Sequence, residues 1–136
     1  MNLVLDSSAV LAWLLDEEAG EAMTVAMTRA AILGAVVPTL WFYEVANGMQ
    51  MAVRRKRIDA RYRDDALMRL GRLRIGADAF SDDVVWTATL SLAERHGLTI
   101  YDAAFLELAQ RRRLPLATLD ADLASAARRD GVELVL

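Results

Sequence analysis

Residues 3–8 read Leu3-Val4-Leu5-Asp6-Ser7-Ser8, an apolar run that ends in a carboxylate and two small hydroxyl residues. A short apolar run before a helical pattern predicts a buried central strand of an α/β sheet, with Asp6 at its carboxyl end. Ligands of open α/β sheets bind in the crevice outside the carboxyl ends of the strands. Asp6 therefore marks the edge of the sheet where the other functional groups are expected.

Length and composition predict one ordered domain that spans residues 1–136. The chain is 55% hydrophobic and 26% charged, and a chain of this length buries roughly two-thirds of its unfolded surface. The longest uncharged apolar stretch, residues 30–37, is too short to span a bilayer. The first residues lack the basic start of a secretory signal. We therefore expect a cytoplasmic protein that does not enter a membrane.

Several classes of chemistry are excluded by the residues that the sequence lacks. Without cysteine there is no disulfide, thiol nucleophile or thiolate zinc site, and with His96 as the single histidine no pair of histidines can act as acid and base. The glycines form neither a dinucleotide-binding motif nor a P-loop. Catalysis would have to rest mainly on carboxylates.

Strands and helices alternate along the whole chain, which predicts an α/β fold with a mostly parallel sheet. The predicted strands are 3–5, 35–37, 116–119 and 132–136, with a possible short strand within 75–80. The predicted helices are 7–18, 21–33, 39–57, 60–74, 81–96, 99–113 and 122–130. Ser81, Asp82 and Asp83 are predicted to cap the fifth of these helices, and Gly97 to end it.

Four acidic residues are predicted to meet at one edge of this sheet. Asp6 and Asp120 end two strands, and Glu44 and Asp102 lie in the first or second turn of two helices. Each taken alone could be a helix cap or a solvated side chain. Together, crowded carboxylates require a cation, and oxygen ligands without cysteine suit Mg²⁺ or Mn²⁺. Such ions activate a water and stabilise charge on a phosphoryl group, which favours phosphodiester hydrolysis.

The order and spacing of these acids resemble those of the PIN-domain ribonucleases, and most closely the VapC toxins of toxin–antitoxin pairs. The matching stretches are residues 4–8 (VLDSS), 41–47 (WFYEVAN), 98–109 (LTIYDAAFLELA) and 116–120 (LATLD). The resemblance covers essentially the whole chain. It implies a single PIN domain with a three-layer α/β/α fold, a short and mostly parallel central sheet, and a helical hairpin.

The resemblance also implies a function and a site. Asp6, Glu44, Asp102 and Asp120 would form a metal-binding catalytic quartet for Mg²⁺ or Mn²⁺, with Asp6 and Asp102 holding the ion and the other two completing its shell directly or through water. The activity would be endoribonuclease cleavage of RNA by the toxin of a type II module. A VapB-like antitoxin would restrain it, and two copies would pair as a homodimer.

Each of four further residues has two possible roles. Ser7 and Thr118 either orient a carboxylate or water, or serve as a cap and a strand residue. Asp122 either binds a second ion or adds negative charge to the start of a helix. Asn47, one turn after Glu44, either hydrogen-bonds within the site or lies on the helix surface.

Charge is distributed unevenly along the chain. Residues 54–74 contain nine basic and three acidic residues, whereas the rest of the chain contains seven basic and sixteen acidic ones. We favour a phosphate-contacting surface over a merely solvated face for this segment. The tryptophans Trp13, Trp41 and Trp86 are interpreted as core or dimer contacts, and His96 as the end of a helix.

Two other functions compete with the nuclease. A phosphoacceptor signalling domain is also a small α/β fold with an acidic pocket, but it needs a lysine near the end of a late strand. The single lysine here, Lys56, lies within the basic segment, which disfavours that function. A PIN-like module that binds RNA or a partner without catalysis remains open.

Overall fold

The structure is a computed structural model that describes residues 2–15 and 20–135. Its centre is a parallel sheet of four strands in the order β3-β2-β1-β4. The strands are β1 (Leu3–Leu5), β2 (Ala35–Val37), β3 (Ile75–Ala77) and β4 (Leu116–Ala117). The predicted α/β class with a parallel sheet is confirmed, and the possible strand after residue 75 is real.

Helices flank the sheet and connect its strands. In chain order they are α1 (Ser7–Leu15), α2 (Gly20–Leu33), α3 (Leu40–Arg54), α4 (Ala60–Gly71), α5 (Leu90–His96), α6 (Ile100–Arg112) and α7 (Ala121–Arg129). The end of the first predicted helix, residues 16–18, lies outside the described residues. None of the helices in the described part of the chain is both long and apolar enough to cross a membrane.

The core forms where α6 packs on β1. All three residues of β1 are fully buried, because β2 and β4 pair with it on either side. Within α6, every residue from Ala103 to Ala109 is buried, and Phe105 is among the largest side chains of the core. Each fully buried side chain of this size contributes about 1.5–3 kcal/mol. The sheet and α6 thus give Asp6 and Asp102 a rigid support.

The helices α3 and α4 form the predicted hairpin, and both end three residues earlier than the sequence predicts. The chain leaves α3 through Lys56, which has a positive φ of 60° that a continuing helix does not allow. Asp59 then caps α4 by accepting a hydrogen bond of 2.8 Å from the backbone N–H of Tyr62. The exposed basic segment 54–74 therefore turns sharply near its start.

The prediction of one regular helix capped by residues 81–83 is wrong. Residues Ser81–Val84 form a 3₁₀ turn and Val85–Thr89 a π-helical turn before α5 begins. The residue at the capping position is Phe80, because the Ser81 hydroxyl donates instead to the buried carboxylate of Asp78 at 2.7 Å. The predicted end at Gly97 is confirmed, with φ of +65° in the left-handed region.

The two C-terminal strands are shorter than predicted. Strand β4 stops at Ala117, because Ser8 and Thr118 hydroxyls, rather than a neighbouring strand, accept the backbone N–H groups of Leu119 and Asp120. The predicted strand 132–136 contributes, up to residue 135, a single parallel bridge between Leu116 and Leu134. Strand pairing therefore ends directly beside Asp6, at the carboxyl ends of β1 and β4.

Candidate active site

Asp6 lies at the end of β1 in a buried frame of hydroxyl groups. Its Oδ2 accepts hydrogen bonds from Thr118 Oγ1 at 2.6 Å and from Ser8 Oγ at 2.7 Å, and Ser7 Oγ lies 3.4 Å from its Oδ1. The residue is only 3% exposed. No ion pair to Asp6 forms among residues 2–15 and 20–135. Its charge is thus oriented by neutral donors and is not neutralised.

Thr118 links Asp6 to Asp120 through one hydroxyl group. Its Oγ1 donates to Asp6 and accepts the backbone N–H of Asp120 at 3.0 Å. Asp120 in turn caps α7, since its Oδ2 accepts the N–H of Leu123 at 2.8 Å. The structural interpretation of Asp120 as a cap therefore holds, and the same residue also belongs to the acidic edge.

Removing the Thr118 hydroxyl should loosen this arrangement. We expect Thr118→Val to lower the free energy of unfolding by about 1–3 kcal/mol, because the partly buried N–H of Asp120 and the buried carboxylate of Asp6 each lose a partner. Urea unfolding of the variant and the parent measures the difference. Thr87→Val is a suitable control, since the Thr87 hydroxyl is exposed and contacts only a local carbonyl. Equal losses in the two variants would show that the Thr118 hydroxyl has no special role.

Glu44 approaches the same site from the second turn of α3. Ser7 Oγ donates to its Oε1 at 3.1 Å, so Ser7 lies between Glu44 and Asp6. Burial raises the pKa of Glu44 to about 7 against the opposing hydrogen bond from Ser7, and the charges of Asp6 and Asp102 raise it further. At neutral pH this side chain is therefore divided between its protonated and ionised forms.

Asp102 completes the group from the first turn of α6. Its backbone N–H donates to the Thr99 hydroxyl at 3.1 Å, which confirms Thr99 as the cap of the helix. Burial raises the pKa of the Asp102 carboxyl, and the charges of Asp120, Asp6 and Asp122 add to that effect against the hydrogen bond to Thr99. The carboxylates of Asp6, Glu44, Asp102 and Asp120 therefore influence one another electrostatically.

The structure brings the four acids to one edge but does not preform a cation cage. Within the described residues, no group of three acidic or histidine side chains lies close enough together to hold a metal ion. Because like charges repel, four carboxylates are expected to draw together only around a cation. The donors are all oxygen atoms on a chain without cysteine, and this set fits a hard ion such as Mg²⁺ or Mn²⁺.

The other residues that the sequence singled out have different surroundings. Asn47 and Asp122 are both exposed on their helices. The His96 side chain is buried and pairs with Asp130 at 2.9 Å, as expected for a structural role at the end of α5. Lys56 is exposed in the turn after α3, twelve residues beyond Glu44 in the sequence, and forms no ion pair within the described residues. This position gives no support to a phosphoacceptor site.

Sequence reasoning missed two features of this region. Ser8 is as close to Asp6 as Thr118 is, and the signal was the second hydroxyl of the Asp-Ser-Ser stretch. Asp78 also follows a strand, but Arg111 and Arg112 donate to its carboxylate at 2.6 and 3.2 Å. An acid at a strand end is thus part of the site only where no basic side chain neutralises it.

Comparison with known proteins agrees with this geometry. Residues 3–129 match the family described as PIN domain. The curated protein Ribonuclease VapC3 of Pyrobaculum aerophilum is 34% identical over 124 residues, which cover 91% of this chain and 93% of that protein. The crystal structure of PAE2754 from Pyrobaculum aerophilum has a TM-score of 0.64 at 20% identity, and covers 93% of this chain and 84% of that one, so it shows the fold. The chain therefore belongs to the PIN-domain family and is a homologue of Ribonuclease VapC3.

Proposed function

We propose that this protein is a VapC-type toxin, a metal-dependent endoribonuclease that hydrolyses RNA phosphodiester bonds at the edge formed by Asp6, Glu44, Asp102 and Asp120. The observation that carries the proposal is the electrostatic coupling of these carboxylates, which no basic side chain neutralises in the described structure. The name of a homologue supports this activity, since the protein that is 34% identical is named a ribonuclease. We expect an RNA-cleaving toxin of this kind to act in the cytoplasm.

The ion would be held by Asp6 and Asp102, with Glu44 and Asp120 as ligands directly or through water. When bound, a divalent ion makes a water nucleophilic at neutral pH and stabilises negative charge on the phosphoryl group. The chain itself supplies the orientation. Ser8 and Thr118 fix one oxygen of Asp6, and Ser7 holds Glu44 beside the other.

Glu44 adjusts the charge of the site. With a pKa of about 7, its Oε atoms hold a proton in a large fraction of molecules at neutral pH, which relieves repulsion from Asp6 and Asp102. A carboxyl group must release its proton before it can act as a metal ligand. The raised pKa of Glu44 thus allows the free protein to tolerate a site that is built for a cation.

Metal binding should therefore depend on pH in a defined direction. We expect the apparent affinity for Mn²⁺ to fall as the pH drops below 7, the value near which Glu44 titrates, approaching about tenfold per pH unit for one competing proton. Calorimetric titration at pH 6 in two buffers of different ionisation enthalpy measures the protons released. Glu44→Gln should remove that release. Proton release that is unchanged in the variant would contradict the assignment.

The activity is tested by incubating purified protein with total RNA in the presence of Mg²⁺ or Mn²⁺, and with a chelator as the control. The proposal expects cleavage that requires the ion. RNA binding without cleavage under every metal condition would favour the non-catalytic RNA-binding module. Neither binding nor cleavage would remove RNA as the substrate.

The acidic edge also defines the kind of partner that would restrain the toxin. An antitoxin segment with an arginine or lysine would complement the carboxylates and exclude the metal ion from them. A small DNA-binding protein encoded directly upstream would be the natural candidate. Its addition should stop cleavage, and a variant without that basic residue should not.

A homodimer is proposed from the apolar surface around the π-helical turn. Trp86 is 89% exposed and is not a core residue, whereas Trp41 is buried in the core. Phe80 and Leu90, which precede and follow Trp86 in the sequence, are exposed as well. Large exposed apolar patches commonly mark protein interfaces. We expect Trp86→Glu to shift sedimentation from dimer to monomer without a change in helical content, and a parent protein that sediments as a monomer would contradict the dimer.

A further inference from the structure

Gly48 lies in the interior of α3, where glycine is an unfavourable residue. Glycine weakens a helix relative to alanine, because its backbone loses more conformational freedom on folding. A Cβ atom built on Gly48 would lie 2.5 and 2.6 Å from the two methyl carbons of Leu11 and 3.1 Å from its Cγ. Nonbonded carbon atoms prefer separations of about 3.5–4.0 Å. The missing side chain of Gly48 therefore allows α1 and α3 to approach each other closely.

This close contact lies one helical turn from the hydrogen bond that holds Glu44. Leu11 follows Ser7 by four residues on α1, and Gly48 follows Glu44 by four residues on α3. Residues four apart share one face of a helix and are separated by about 6 Å along its axis. The contact between Ser7 and Glu44 and the contact between Leu11 and Gly48 are therefore successive contacts between the same two helix faces.

Leu11 has little freedom to make room for a larger side chain at position 48. It is partly buried and packs against the hydrophobic core. Its Cγ atom, whose position depends on χ1, would itself lie too close to a Cβ atom at this position. Rotation of the methyl groups about χ2 would not relieve that contact, and few χ1 angles are open to leucine in a helix. A residue larger than glycine therefore favours a shift of α3 away from α1.

Such a shift would move one acid of the edge and leave its neighbour in place. Glu44 is carried by α3 and accepts a hydrogen bond of 3.1 Å from Ser7. Asp6 is held by Thr118 and Ser8, neither of which belongs to α3. Groups that act together must be held within about 0.5 Å of their productive positions. A small displacement of α3 is thus enough to misplace Glu44 relative to Asp6.

We propose that Gly48 is a positioning residue for Glu44: by allowing α1 to approach α3, it sets the distance between Glu44 and the rest of the acidic edge, and with it the affinity of that edge for a divalent ion. This inference rests on the proposed metal-dependent function. Gly48 acts through the separation of two helices and not through a contact with the ion. Alanine at this position should favour the helix but weaken the metal site, which distinguishes positioning from ordinary packing.

Calorimetric titration of the metal-free protein with Mn²⁺ tests the inference without RNA. We expect Gly48→Ala to weaken Mn²⁺ binding by about 10- to 100-fold, the loss that is typical when the support of a metal ligand is changed. Thermal unfolding in a chelator should show that the variant is as stable as the parent. Gly71→Ala is the matched control, because a Cβ atom at this last residue of α4 would meet nothing within 4 Å. Its affinity for Mn²⁺ should equal that of the parent.

Two double variants identify how the effect reaches the ion. Leu11→Ala removes the atoms with which a Cβ atom at position 48 would collide. Gly48→Ala combined with Leu11→Ala should therefore bind Mn²⁺ as Leu11→Ala alone does. Glu44→Ala removes the side chain that Gly48 positions. In that background Gly48→Ala should weaken Mn²⁺ binding no further, because two changes that act through one group are not additive.

The outcomes separate this inference from the proposed nuclease. A Gly48→Ala protein that binds Mn²⁺ as the parent does would overturn the role of Gly48 and leave the nuclease intact. A loss of affinity that Leu11→Ala does not reverse, or that is equally large without the Glu44 side chain, would overturn it as well. A parent that neither binds Mn²⁺ nor cleaves RNA would remove both proposals.

Discussion

Asp102→Asn should lower RNA cleavage by at least about a hundredfold and, at pH 8, raise the melting temperature of the metal-free protein. The two effects have one cause. Burial and the charges of Asp120 and Asp6 raise the pKa of Asp102, so the folded state disfavours its ionised form. A neutral amide of the same shape relieves that repulsion and also removes a metal ligand.

Cleavage assays and thermal unfolding of the same preparations measure both effects. Mn²⁺ should stabilise the parent, by about 2.7 kcal/mol when the ion is at a hundred times its Kd, and should stabilise Asp102→Asn far less. Asp83→Asn, an exposed acid outside the site, serves as the matched control and should leave cleavage unchanged. A variant at position 102 that cleaves as the parent does would remove Asp102 from the site.

Asp78→Asn should be the most destabilising single change of a charged residue in this protein, at about 3 kcal/mol. The Asp78 side chain is fully buried and pairs with Arg111 and Arg112. Arg111 also pairs with the buried Glu107 at 2.8 Å. Without the carboxylate, the arginines and Ser81 lose the group that orders the turn before α5.

The pH dependence of stability provides an independent check on Asp78. Burial opposes its ionisation, but the hydrogen bonds from Arg111 and Ser81 prevail and hold the pKa of Asp78 well below its ordinary value. A carboxylate with a lowered pKa contributes stability above its unfolded pKa of about 3.9 and loses that contribution as the pH falls. The parent should therefore lose more stability than Asp78→Asn as the pH falls from 5 to 2. This range includes the pKa of Asp78 in the unfolded chain.

Urea unfolding at several pH values measures the effect, with Asp64→Asn as the control. Asp64 pairs with Arg63 at 2.9 Å on the surface of α4, where its side chain is 64% exposed. Removing such an exposed pair is expected to change the free energy of unfolding by no more than about 0.5 kcal/mol. A change at Asp78 no larger than that at Asp64 would show that the buried ion pairs do not stabilise the fold.

Local sequence signals predicted the elements whose structure is decided locally. The apolar run of β1 became a fully buried central strand, and Thr99 caps α6 as its spacing indicates. Ser81 did not cap its helix, because a buried carboxylate three residues earlier binds its hydroxyl. Strand β4 ended early because the Ser8 hydroxyl, from the other end of the chain, accepts the backbone N–H of Leu119. Ser8 is 111 residues from Leu119 and leaves no local signal, and Asp78, although near Ser81 in the sequence, pairs with Arg111, 33 residues further on.

The same limit applies to the candidate site. The positions of the acids along the chain predicted which carboxylates share an edge, because parallel strands end at the same side of a sheet. The hydrogen bond between Thr118 and Asp6 joins residues that are 112 positions apart. The sequence could suggest that Thr118 orients a carboxylate, but it could not establish this contact. Asp78 carried the same signal as Asp6 and differs from it through Arg111, a partner 33 residues away.

The most direct measurement is the anomalous diffraction of Mn²⁺ in crystals of this protein grown at pH 8, above the pKa near 7 at which Glu44 loses its proton. We predict an Mn²⁺ peak between Asp6 and Asp102, with Glu44 and Asp120 drawn toward it. Crystals saturated with Mn²⁺ that show no peak at this edge, or an ion bound only at other carboxylates, would contradict the account.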